Sequence, residues 1–395
     1  MPQIKPEIET FARIKVIGVG GSGRNAIEHM VNSKVKGVEF IVANTDAQDL
    51  HHSQAKRKIH IGKNLTKGLG TGMNPDLGRR AVEETKEEVQ EAIKNADMVF
   101  LTCGLGGGTG SGGSPVMAQI AKESGALTVA VVTKPFFFEG RQRMKIAEEA
   151  LDQLRKEVDA IIVIPNDRLL SNISKDTTVS NAFAMCDDVL KQSVEGISDL
   201  ITTPGVINID FADIKSILKE AGSALMGIGI ANGEKRAEEA AKMAINSPLL
   251  DISINGARGV LFSIAGGEDL TMFEIQEAAK VITESMDPDA KVIFGTVKDD
   301  KLKKGDIKVT IIASGFPENS IKRPLFNSSA TNSSNQEKTE KNNEPEEKSG
   351  KIFNSLLVNH AKEEKDEPKP EIKKIDEDDD EWGAVPAFLR RSKIK

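Results

Sequence analysis

GLGGGTGSGGSP, residues 104–115, is the stretch on which the reading of this chain turns. It follows an apolar run at 98–103 (MVFLTC) and precedes a helix-like stretch at 116–122, so its glycines stand at a strand-to-helix turn. In open α/β sheets that turn is where phosphate binds. Glycine takes positive φ and lets consecutive N–H groups converge on an anion, where a Cβ would hold the backbone away. The free N–H groups and partial positive charge at the start of the following helix add to the attraction. Thr109 and Ser111 supply hydroxyls. A glycine turn taken alone reads equally well as a flexible connector, so its neighbours decide.

Upstream, 13–18 (RIKVIG) reads as a buried strand and 22–31 carries helical apolar spacing, with Gly18, Val19, Gly20, Gly21, Ser22 and Gly23 between them. This fits G-x-G-x-x-G. The next strand, 38–43 (VEFIVA), ends in Asn44, Thr45 and Asp46. That places a carboxylate about twenty residues past the glycines, where dinucleotide enzymes hold a ribose. A nicotinamide-dependent oxidoreductase is therefore the first hypothesis. Two features count against it. A second, richer glycine turn stands on a later strand, and hydride chemistry usually employs a positioned acid or base, most often His. The five histidines are His29, His51, His52, His60 and His360, none lies in 61–359, and the chain has no Tyr.

Residues 66–75 (TKGLGTGMNP) form a third glycine-rich loop, and an amphipathic helix is expected over 76–95 with Pro75 as its entry. Strands at 126–132 and 159–165, the second ended by Asn166 and Asp167, flank a helical pattern at 144–158. This alternation predicts a parallel sheet covered by helices on both faces. Apolar residues at three- and four-residue intervals over 179–200 imply one long helix, ended by Pro204 and Gly205. Strands at 222–232, 259–267, 291–297 and 306–315, with helices at 234–245 and 271–284, then imply a second α/β domain sharing that helix.

A chain of 395 residues with 38% apolar content can build two ordinary domains and a tail. A net charge of −7 argues against general nucleic-acid binding, which needs a basic surplus. Cys103 and Cys186 are the two cysteines, both in apolar segments, so buried free thiols are expected rather than a disulfide framework or a zinc cluster. The start lacks an apolar signal core and no run approaches membrane-spanning length, which points to the cytoplasm. Past Gly315 the composition turns to Asn, Ser, Lys and Glu, that of a disordered linker. An acidic block (DEDDDE, 376–381) then precedes WGAVPAFL (382–389) and a basic end. Such a peptide reads as a docking segment in which Val385, Phe388 and Leu389 face a partner groove.

No G-x-x-x-x-G-K-[ST] occurs. Three glycine loops suit a chain of phosphates instead, and the lack of a dedicated lysine points to Mg²⁺ for the extra charge. GGTGSG at 107–112 resembles the signature of the tubulin/FtsZ family. GVGGSGRNA (18–26), NTDAQ (44–48), TKGLGTGMNP (66–75), TKPFFFEGRQR (133–143), IPND (164–167) and NIDFAD (208–213) occur in FtsZ order. The resemblance covers roughly 14–315, and VPAFLRR (385–391) is similar to the C-terminal peptide of bacterial members.

That resemblance implies a Rossmann-like parallel-sheet GTP-binding domain (13–178), a central helix (179–204) and a C-terminal α/β activation domain (205–315). Outside these lie a flexible N-terminus (1–12), a disordered linker (316–380) and a partner-binding peptide (381–395). It implies GTP/GDP and Mg²⁺ as ligands, with no metal ligand assigned to a side chain. Gly20, Gly21, Ser22, Gly23, Arg24 and Asn25 fall on the first phosphate loop, Asn44, Asp46 and Gly72 on the next two loops, and Gly107, Gly108, Thr109 and Gly110 on the signature. Glu139 and Arg143 match residues near ribose and phosphate, Asn166 and Asp187 match guanine readers, and Phe183 matches a base-stacking residue. Asn208, Asp210 and Asp213 match the loop that acts on the neighbouring subunit's GTP; read without the family, the two aspartates would cap and charge a helix start near Phe211. Arg24 stands where the family more often has a small or neutral residue, and either pairs with phosphate or faces solvent. The implied protein is a head-to-tail homopolymer at the mid-cell division ring. Val385, Pro386, Phe388, Leu389 and Arg390 would bind FtsA-like or SepF-like adaptors, so that membrane contact is only indirect. A scaffold that assembles but hydrolyses poorly is the competing reading, and the retained Asp210 and Asp213 count against it.

Overall fold

Alternating apolar runs and glycine turns produce alternating strands and helices. In chain order they are β1 (Ile14–Val19), α1 (Gly20–Asn32), β2 (Val38–Asn44), α2 (Ala47–His52), β3 (Arg57–His60), α3 (Lys63–Thr66), α4 (Pro75–Glu84) and α5 (Lys86–Ile93). Next come β4 (Met98–Gly104), α6 (Thr109–Glu123), β5 (Leu127–Lys134), α7 (Arg141–Glu157), β6 (Ala160–Pro165), α8 (Asn166–Leu170) and α9 (Val179–Thr202). The remainder holds α10 (Phe211–Leu218), β7 (Gly222–Asn232), α11 (Arg236–Ile245), β8 (Gly259–Gly266), α12 (Met272–Glu284), β9 (Lys291–Lys298) and β10 (Asp306–Ser314). This computed structural model describes residues 12–170, 177–203, 205–247, 256–267, 269–299 and 302–316. Residues 1–11, Pro204, nearly all of the expected linker and the whole terminal peptide, with Val385, Pro386, Phe388, Leu389 and Arg390, lie outside the described residues.

All ten strands join one sheet in the order β3-β2-β1-β4-β5-β6-β7-β10-β8-β9. Pairing is parallel from β3 through β7, antiparallel where β10 sits between β7 and β8, and parallel again from β8 to β9. The two α/β halves anticipated from the sequence thus share one sheet, joined where Ala160–Ile162 of β6 pairs with Gly222–Ala224 of β7. Side chains such as Met30, Phe100, Val129 and Ile197 fill the core beneath α1 and α9, and Leu101, Met117, Val132 and Leu154 fill the opposite layer beneath α4 to α7. Ala240, Phe262, Ala278 and Ile311 form a third core under α11 and α12. Each large side chain buried this way contributes roughly 1.5–3 kcal/mol.

The order places β1 between β2 and β4. Connections therefore leave the carboxyl ends of β1 and β4 towards opposite faces, and a crevice opens between them. Gly18 pairs with Thr102 across that boundary, so the first glycine loop and the signature loop emerge side by side.

The helix expected over 76–95 is instead two. Thr85 breaks it, with φ −112° and ψ 25° and its hydroxyl donating to the carbonyl of Ala81 at 2.9 Å. Its N–H bonds the Val82 carbonyl at 3.1 Å, three residues back, so the α-helical ladder lapses there. Asn74 supplies the N-cap of α4, accepting from Asp76 N and Leu77 N, with Pro75 at its first position.

Candidate nucleotide-binding site

Part of each glycine cluster is already helical: Gly20, Gly21 and Gly23 lie in α1 and Gly110, Gly112 and Gly113 in α6, while Gly106, Gly107 and Gly108 form the turn before α6. α1 starts at Gly20 directly after β1, and α6 at Thr109, so free N–H groups of both first turns reach the crevice. Gly20 holds φ +73°, and a Cβ on it would stand 3.2 Å from Gly110 N and 3.3 Å from Thr109 Cβ, a position that suits glycine. Ser22 Oγ accepts from Gly104 N at 2.7 Å, and Ser111 Oγ accepts from Gly106 N at 2.9 Å. Hydroxyls from three loops meet at Thr109, whose Oγ1 lies 2.6 Å from that of Thr45 and 3.2 Å from that of Thr71. These buried bonds lock the loops to one another.

The resulting cleft holds about 610 Å³, within the range of small-molecule sites. Its glycine-loop wall contains Gly20, Gly21, Ser22, Asn25, Asn44, Asp46, Gly72, Gly107, Gly108, Thr109 and Gly110. Glu139, Arg143, Asn166, Phe183 and Asp187 line the rest. Sixteen of the eighteen residues expected at the nucleotide thus meet in one place. Gly23 does not; a Cβ there would come within 2.6 Å of the Thr102 carbonyl, so this glycine serves close packing of α1 on β4. Arg24 also stays out of the cleft, because its side chain turns to Asp49 and Asn25.

Several lining groups have assigned partners. Asp46 caps α2, accepting from Gln48 N and Asp49 N at 3.0 Å each, so its carboxylate is committed to the backbone. Glu139 accepts from Arg143 at 2.7 Å and from Phe136 N at 3.0 Å. Asn166 Oδ1 is buried with no hydrogen-bond partner among the described residues, an acceptor that costs stability unless something donates to it. Burial pushes the Asp187 carboxyl up to about 6, against a smaller opposing pull from His29. Phe183 is 41% exposed and stands edge-on to Phe136, ring centroids 5.3 Å apart. Burial likewise holds the Cys103 and Cys186 thiols up near 12, and both are free.

Asn208, Asp210 and Asp213 line no part of this cleft. Asn208 Oδ1 accepts from Gly205 N at 2.7 Å, and Asp210 caps α10 by accepting from Asp213 N at 2.8 Å. The capping role read from the sequence is therefore real. Asp213's own carboxylate accepts no hydrogen bond among the described residues.

A family profile described as "Tubulin/FtsZ family, GTPase domain" matches residues 13–174, and one described as "FtsZ family, C-terminal domain" matches 222–317. The structure is similar to that of an empty FtsZ dimer from M. jannaschii, with TM-score 0.74 and 46% identity over 78% of this chain and 89% of that one. The chain belongs to the FtsZ family. A tryptophan-to-tyrosine mutant of FtsZ from the same organism aligns equally well, at 45% identity, TM-score 0.74, and 78% and 92% coverage. CetZ2 from Haloferax volcanii, solved as a GTPγS-bound protofilament, shares the fold at 22% identity and TM-score 0.66, over 78% of this chain and 94% of its own. The first half of the chain is a GTPase domain of this family, which implies GTP and GDP as its ligands.

Asp49, Thr45, Thr71, Gly104, Thr133 and Pro135 also line the cleft or brace its wall, although the sequence reading assigns none of them individually to the nucleotide. One signal was available for Asp49: it follows the cap Asp46 by three residues, the spacing of a charged first helical turn. The threonine contacts join positions far apart in the chain and leave no local trace.

Proposed function

We propose that this protein is a GTP-dependent, self-assembling GTPase whose subunits join head to tail, each completing the catalytic site of the next, in filaments of the division ring. The observation that carries this is a separation. Every nucleotide-facing loop converges on one cleft, while the loop of Asn208, Asp210 and Asp213 lies outside it, with Asn208 and Asp210 exposed and Asp213 half-buried. A contact between two different surfaces of one subunit does not close on itself, and so builds a filament. Apolar side chains at both places favour such a contact: Leu69 is 86% exposed in the third glycine loop and Val206 95% exposed beside Asn208.

Within the cleft, the first turns of α1 and α6 and the glycine backbone bind the phosphates by N–H groups. Arg143, the one cation at the wall among the described residues, is already paired with Glu139. Mg²⁺ would be carried mainly by nucleotide oxygens and water. When bound, it offsets negative charge on the phosphates. Asp213, brought by the next subunit with Asp210 and Asn208, orients the attacking water towards the γ-phosphate. Phe183 stacks on the base. The unpartnered Asn166 Oδ1 and the Asp187 carboxylate accept donors from its edge, and an ionised carboxylate takes both N1–H and N2–H₂ of guanine, a pair adenine lacks.

Guanine recognition by Asp187 carries a pH signature. A protonated carboxyl cannot accept from both donors, so GTP affinity is present above about pH 6 and lost as pH falls through it, approaching tenfold per unit. Titrations with GTP and ATP between pH 5 and 8 check this. A GTP preference that collapses below about pH 6 is expected, and equal binding of GTP and ATP throughout that range would remove the guanine reading.

The terminal peptide, by its resemblance, would tie the filament to FtsA-like or SepF-like adaptors and through them to the membrane at mid-cell. No helix among the described residues is long and apolar enough to cross a bilayer.

A further inference from the structure

Arg24 sits on α1 one turn beyond the glycines, and Asp49 in the first turn of α2. Arg24 Nε lies 3.5 Å from Asp49 Oδ1, with the two side chains 19% and 28% exposed. The guanidinium also donates to Asn25 Oδ1 at 2.7 Å, while the other Asp49 oxygen accepts from Asn44 Nδ2 at 2.7 Å. Of the pair, only Asp49 lines the cleft. A Cβ placed on Gly21 would stand 3.8 Å from Asp49 Oδ2, so this carboxylate flanks the first phosphate loop. An ionised group there repels a bound polyphosphate, and repels it more for each phosphate charge added.

We propose that Arg24 is a positioning residue that offsets the charge of Asp49 beside the first phosphate loop and so sets how strongly the site prefers a triphosphate over a diphosphate or a bare nucleoside. The proposal rests on the guanine-nucleotide reading of the cleft. Arg24 acts through its neighbour: its charge faces Asp49 at 3.5 Å without a hydrogen bond between them, and it donates to Asn25, which lines the cleft, without reaching the cleft itself.

Equilibrium titration of the full chain with GTP, GDP and guanosine, below the concentration at which it scatters light, tests this in the parent, Arg24→Ala, Asp49→Asn and the double variant. Arg24→Ala is expected to weaken GTP about tenfold, GDP less and guanosine not at all. Asp49→Asn is expected to tighten GTP, and adding it to Arg24→Ala to restore parental affinity. Equal losses for all three ligands would mark Arg24 as merely structural. A double variant as weak as Arg24→Ala would mean that Arg24 acts on phosphate directly; either result overturns the proposal. If Arg24→Ala does not fold, Asp49→Asn decides: tighter GTP supports the proposal and weaker GTP overturns it. Failure of the parent to bind GTP at all would remove the nucleotide reading and the proposal with it, an outcome distinct from the others.

Discussion

Asp213→Ala is expected to bind GTP as the parent does and to hydrolyse it at least about a hundredfold more slowly. Its carboxylate lies outside the cleft and accepts no hydrogen bond among the described residues, so removing it leaves the binding walls intact and costs α10 only a first-turn charge. What is lost is the group proposed to orient water at the neighbouring subunit's γ-phosphate, and filaments that cannot hydrolyse GTP should persist longer. Asp210→Ala is a poorer probe. It also removes the cap of α10, at a cost of about 1 kcal/mol, and so mixes a folding defect with a catalytic one. Nucleotide binding by equilibrium titration and phosphate release on the same Asp213→Ala sample decide the matter. Loss of GTP binding would show that Asp213 supports the subunit's own cleft.

Two glycines of one signature are expected to fail in opposite ways. A Cβ on Gly107 meets no protein atom within 4 Å, and Gly107 lines the cleft. Gly107→Ala should therefore fold as the parent does. Its methyl group stands where phosphate must approach the backbone, which should weaken GTP about 10- to 100-fold, the worth of one or two charge-assisted hydrogen bonds. A Cβ on Gly112 would sit 1.8 Å from the Pro75 carbonyl oxygen, at the contact of α4 with α6. Gly112→Ala must push those helices apart, at about 3 kcal/mol or more. A fall in Tm of roughly 5–10 °C should follow. Thermal unfolding and GTP titration of both variants separate the two roles; a stability loss at Gly107 equal to that at Gly112 would contradict the phosphate cradle.

The same contrast shows what the sequence could convey. Periodicity placed β1, β4, α9 and the later strands because each is long and uniformly patterned. It missed the break at Thr85, which leaves the apolar spacing on either side uninterrupted, and the short β3 with its neighbouring α3, whose local signal is slight. At the site, glycine and carboxylate positions were legible because their chemistry is local. Gly23 was read as a phosphate ligand, although glycine serves close helix–strand packing equally well. Arg24 could not be placed from sequence, since its partner Asp49 stands on another helix. The Thr45–Thr109–Thr71 cluster depends on three segments meeting, which only the folded chain displays.

Mixing Asp213→Ala with Gly107→Ala tests the shared site most directly. The first variant keeps the cleft and lacks the water-orienting carboxylate; the second keeps the carboxylate and lacks the phosphate cradle. If the catalytic site is completed between subunits, two preparations that each release little phosphate from GTP should together recover a substantial rate, produced where a GTP-filled Asp213→Ala cleft meets the Asp213 loop of a Gly107→Ala subunit. A mixture no faster than the sum of its parts would contradict the account and place the whole reaction within one chain.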